Sequence, residues 1–81
     1  MKYKFIHFEE IGLEQIGIKP GWRCRNNKTD GILGYVQLYD PWNQYVFETI
    51  QGAVFSFDCL ADIRDFLLKV TKERKPDGAK G

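Results

Sequence analysis

One long stretch near the end of the chain repeats its apolar residues at helical spacing. Cys59, Leu60, Ile63, Phe66, Leu67 and Val70 recur at steps of three and four, which gathers them on one face of an amphipathic helix. Asp62, Asp65, Lys69 and Lys72 fall away from that face. Ser56 or Asp58 can cap its start, because either side-chain oxygen accepts from the open amides of a first turn. Pro76 and Gly78 stop it, which gives a helix of about fifteen residues. Such a helix has to lay its apolar face on a second layer, and the residues before it must supply that layer.

Those residues read as strands divided by turns. Lys2 to Phe8 mixes β-prone aromatics with Lys and suits a strand. Ile11 to Pro20 holds Gly12, Gly17 and Pro20 among its aliphatics and reads as a loop, with a short turn allowed around Leu13 to Ile16. Trp22-Arg23-Cys24-Arg25 alternates apolar with basic, the period of a strand with one face on a core. Asn26 to Gly31 supplies turn residues, and Ile32 to Tyr39 returns. Ile32, Val36 and Leu38 share one face of that arm, while Leu33, Tyr35, Gln37 and Tyr39 share the other. Asp40-Pro41 ends it. Trp42 to Ile50 is the next strand, and Gln51-Gly52 turns into a short one at Ala53 to Phe55.

The expected fold is α+β: an antiparallel sheet of three to four strands, with or without an extra N-terminal strand, and one C-terminal helix packed on one face. Trp22, Cys24, Ile32, Val36 and Leu38 are expected beneath Leu60, Ile63, Phe66 and Leu67. Residues 1–75 are read as a single domain and residues 76–81 as a flexible tail.

At 81 residues the chain has length for one domain, and 43% hydrophobic with 15% aromatic side chains is too apolar for a disordered polymer. The formal net charge is +1, so bulk charge gives no argument for non-specific duplex binding. Cys24 and Cys59 do not form a close pair, and His7 is the one histidine. A metal site is not expected, nor a cofactor, and both thiols read as reduced core residues. No apolar run reaches signal-peptide or membrane-span length, so a cytoplasmic protein without membrane contact is expected. Phosphate-cradling glycine loops, nucleophile elbows and metal-binding histidine patterns are missing. The reading is therefore not an enzyme. Asp58, Asp62 and Asp65 read as a solvated helix face.

Alternation points to one candidate surface, the sheet face turned away from the helix. It would carry Arg23, Arg25, Tyr35, Gln37, Tyr39 and, from the following strand, Tyr45, Phe47 and Thr49. Lys28 sits in the adjoining turn and Trp42 beside the proline turn. Rings interleaved with guanidiniums suit protein recognition, where Tyr, Trp and Arg dominate hot spots. They also suit stacking of nucleic-acid bases. An equal alternative is that these rings only stabilise the sheet by cross-strand pairing, or are covered by the N-terminal residues. A protein partner is favoured over nucleic acid because the net charge is so small. The chain is expected to be a monomer or a homodimer.

Trp22-Arg23-Cys24-Arg25-Asn26, Leu33-Gly34-Tyr35-Val36, Trp42-Asn43-Gln44-Tyr45-Val46-Phe47, Val54-Phe55-Ser56 and Cys59-Leu60-Ala61-Asp62-Ile63-Arg64-Asp65-Phe66 together resemble a group of small uncharacterised proteins of bacteria and their phages. The resemblance runs from roughly Trp22 to Leu67. It implies a phage-like or mobile-element origin, and with it a host or phage protein as partner, but no mechanism.

Overall fold

Four antiparallel strands and one helix follow one another in residues 1–11 and 21–73, the part of the chain that the computed structural model describes. Strands β1 (Ile6–Ile11), β2 (Gly21–Asn26), β3 (Ile32–Tyr39) and β4 (Gln44–Thr49) lie in one sheet in chain order, and α1 (Phe57–Glu73) comes last. This is the α+β arrangement expected. The loop read before Pro20, beyond Ile11, and the tail read over 76–81 lie outside the described residues.

Local chemistry sets the connections. Between β2 and β3, Asn26 Oδ1 accepts from the amides of Lys28 and Thr29 at 2.8 and 3.2 Å. Asp30 then takes the left-handed conformation, φ 63°, that aspartate tolerates. Between β3 and β4 the chain makes a single 3-10 turn, Asp40–Trp42, begun by Pro41. Asn43, φ 52°, closes it by donating its amide to Asp40 O at 3.0 Å. Trp42 therefore belongs to the turn and not to the strand. At the start of α1, Ser56 Oγ accepts from the Cys59 amide at 3.2 Å, so of the two caps the sequence offered it is Ser56 that serves.

Ile6, Phe8, Cys24, Val36, Ile63, Phe66 and Val70 form the core between sheet and helix, each no more than 4% exposed. Phe66 lies flat on Phe8 with ring centres 3.9 Å apart, and meets Trp22 edge-on at 5.4 Å. Burial pushes the Cys24 thiol up to about 12, so it stays protonated and unreactive at neutral pH.

The N-terminal residues run along the outer edge of β1. Met1 and Phe8 exchange two hydrogen bonds, ammonium to carbonyl at 3.0 Å and amide to carbonyl at 2.8 Å, and Lys2 bridges His7. The Tyr3 hydroxyl donates to Asp65 at 2.8 Å, which ties this edge to the helix. Burial, and then Asp65, push the Tyr3 phenol up. The strand starts at Ile6 and not at Lys2 because residues 1–3 turn back.

Four expectations about side-chain placement are corrected. β4 has the opposite phase: Tyr39 pairs with Gln44 and Val36 with Phe47, which puts Tyr45, Phe47 and Thr49 on the helix side. The register shifts by one residue at Cys24/Arg25, so Ile32 pairs with Arg25 and Leu33 packs on the core in its place. Leu60 stays 54% exposed, because the buried stripe of α1 centres on Ile63, Phe66 and Val70 and leaves Leu60 on its flank. Ala53 to Phe55 is not a strand; Phe55 instead sets its ring edge-on to Phe47 at 5.6 Å.

Candidate binding face

Antiparallel pairing brings Glu9, Arg23, Tyr35 and Glu48 into one row across all four strands on the face away from α1. The next row holds Gln37 and Val46, and beyond it Tyr39 pairs with Gln44. Of the residues singled out from sequence, Arg23, Arg25, Tyr35, Gln37 and Tyr39 share this face. Lys28 is exposed in the β2–β3 turn. Tyr45 is not on it: its ring packs edge-on against Trp22, 5.8 Å away, under the helix side of the sheet.

The arginines of this face are already engaged. Glu9 Oε1 accepts from Arg23 Nη1 at 3.0 Å and from Arg25 Nε at 2.8 Å. Arg25 Nη1 also donates to the Asp30 carbonyl at 2.7 Å. Arg23 Nε is buried with no hydrogen-bond partner among the described residues, so this side chain lies down on the sheet. Glu9 is the residue the sequence reading missed. Its signal was the Glu9-Glu10 pair next to a strand, which gained meaning once β1 paired with β2 and set Glu9 opposite Arg23. With Glu9 and Glu48 among its side chains, the face is not basic.

Hydrogen bonds from Arg25, and then from Arg23, hold the Glu9 carboxyl below the usual glutamate range. A folded-state value under the unfolded one, about 4.3, means that the stabilisation is complete above that pH and is lost as pH falls through the folded value. Glu9→Gln is thus expected to lower the urea midpoint at pH 7, and the wild type is expected to converge on the variant as pH drops below about 4. A constant gap from pH 7 to pH 3 would show that the carboxylate charge adds nothing.

The accessible part of the face is its β3–β4 corner. Gln37, Leu38, Tyr39, Trp42, Val46, Phe47 and Glu48 line a cleft of about 410 Å³. Trp42 is 66% exposed and Tyr39 43%, their rings edge-on with centres 5.0 Å apart. Pro41 and the left-handed Asn43 position the indole by fixing the turn. Gln37 Nε2 donates to Glu48 Oε1 at 2.6 Å across the strands.

Other groups offer less. His7 Nδ1 lies 2.6 Å from Asn27 Oδ1, and Asn27 Nδ2 donates to the carbonyls of Tyr3 and Lys4, a staple between the N-terminal residues and the turn. Among the described residues no three His, Cys, Asp or Glu side chains come together as a metal site. No described helix is long and apolar enough to cross a membrane. Val54, Phe57 and Leu60 are exposed around the start of α1, on the other side of the sheet from the open face. No protein-family model, curated protein or solved structure matches the chain.

Proposed function

We propose that this protein is a binding module without catalysis, which engages a partner polypeptide, such as a host or phage protein, through the open sheet face at the β3–β4 corner. The observation that carries the reading is an indole held two-thirds exposed by a proline turn, over a cleft shared with Tyr39. A tryptophan left in water has no folding role that requires its size, whereas exposed Trp and Tyr are the usual anchors of protein interfaces. A polypeptide is favoured over nucleic acid because Glu9 occupies both arginines and Glu48 adds negative charge to the cleft. A phosphate backbone would meet that charge unfavourably.

Trp42→Ala is expected to weaken partner capture by about 30-fold or more, the scale of an interface anchor, while the circular dichroism spectrum and urea midpoint stay unchanged. Wild type and variant are compared in pull-downs from lysate with and without nuclease. Anisotropy of a labelled single-stranded oligonucleotide is measured alongside. A protein retained by wild type, lost with the variant and indifferent to nuclease supports the reading. Oligonucleotide binding that falls steeply with salt overturns it in favour of nucleic acid, and undiminished capture by the variant removes the corner as the site.

A further inference from the structure

The cleft at the β3–β4 corner has unlike ends on one floor. Val46, paired with Gln37, lies in the middle. One same-face step along β3, about 7 Å, stands Tyr39 with Trp42 against it. One step along β4 in the opposite direction stands Glu48. The aromatic end offers ring faces on which an apolar stem packs. The other end offers acceptors: because Gln37 donates its amide N–H to Glu48 Oε1, its own oxygen is turned away from the carboxylate and remains an acceptor. Glu48 Oε2 has no donor among the described residues. Among the described residues no Lys, Arg or His lines the cleft to neutralise it.

The geometry points to a lysine or arginine side chain, carried on an extended segment of the partner polypeptide, as the occupant of this cleft. Only these side chains combine a long apolar stem with a head that donates and never accepts. The stem lies on Val46 against the two rings, and the head reaches Gln37 Oε1 and Glu48 Oε2. An extended segment fits because β4 is the last strand of the sheet, pairing on its outer side with no strand among the described residues. A strand added there turns every second side chain onto the open face beside Val46. The β1 edge, by contrast, is bridged by Lys2. This inference rests on the polypeptide-binding reading and names what the site grips.

The test titrates the isotope-labelled protein with the capped pentapeptide Thr-Val-Lys-Val-Thr, following amide and indole resonances. Analogues carry arginine, norleucine or glutamate at the centre. Lysine and arginine peptides are expected to shift the Trp42 indole N–H and the Val46 and Glu48 amides, and the glutamate peptide is expected to leave them unmoved. Norleucine, which keeps the stem and loses the charge, is expected to bind about 2- to 5-fold more weakly than lysine. Glu48→Gln should bring lysine close to the norleucine level, and Trp42→Ala should weaken lysine and norleucine together. Equal binding of lysine and norleucine, or shifts centred elsewhere, overturns the cationic occupant. So does the absence of any shift with every peptide. If Trp42→Ala still abolishes capture of the partner protein in that case, the polypeptide-binding reading stands without it; if capture also persists, both fall.

Discussion

Phe66→Ala is expected to destabilise the protein by about 3 to 5 kcal/mol, the range for removing a large aromatic ring from a core. The ring does not merely fill space. It lies parallel on Phe8 from β1 and edge-on to Trp22 from β2, so one truncation leaves two partner rings facing a void and loosens the helix from half the sheet. A domain of this size has a total stability of only about 5 to 15 kcal/mol, and each kcal/mol moves the melting temperature by about 4 to 8 °C. A fall of at least about 12 °C is therefore expected in a calorimetric scan. Phe66→Leu, which keeps most of the volume, should fall much less. A loss under about 1 kcal/mol in the alanine variant would mean that the site collapses around the missing ring, and that α1 is held mainly by other contacts.

Gly34→Val is the second large effect, and it acts from the opposite cause. A Cβ built at Gly34 stands 2.5 Å from the Glu48 carbonyl oxygen and 2.7 Å from Phe47 Cζ. The ring could swing away, but the carbonyl belongs to β4 and moves only if the β3–β4 ladder moves. The cost is expected at or above the upper end of the about 1 to 3 kcal/mol typical of overpacking, read as a lower urea midpoint with unchanged slope. Phe47→Ala in the same chain should recover little, since the backbone clash remains. Full recovery would place the whole penalty on the ring. Because the displaced carbonyl is that of Glu48, the valine variant should also disturb the cleft on the opposite face, which Trp42→Ala does without touching stability.

How much of this was legible beforehand depended on whether a residue's surroundings were local. The helix stripe apart from Leu60, a cap at one of the two residues offered for it, and the turns at Asn26–Gly31 and Asp40-Pro41 are set by neighbours within a few positions, and they stand close to where the pattern put them. The phase of β4 was not readable, because Tyr45, Val46 and Phe47 are apolar on both alternating sets. What decides it is long-range: Gly34 leaves room on the helix side that the Phe47 ring enters, and Asn43 ends the turn one residue before the strand. The one-residue slip that exchanges Ile32 for Leu33 is likewise a property of the pairing with β2. For the site, Tyr39, Gln37 and Trp42 followed from alternation and the proline. The pairing of Arg23 and Arg25 with Glu9 did not, since it depends on which strand lies beside β2. That single neighbour changes the surface from a basic one to a balanced one.

The two indoles give this protein a pair of separate optical reporters. Trp22, wedged between Phe66 and Tyr45 and half-buried, should emit as a chromophore partly shielded from solvent and change its emission mainly when the helix leaves the sheet. Trp42, out at the corner, should be open to a soluble quencher such as iodide in the free protein and shielded when something sits beside it. Quenching and emission maximum, recorded on one sample without any label, thus distinguish occupancy from melting. Phenylalanine at either position silences one reporter and leaves the other to be read alone.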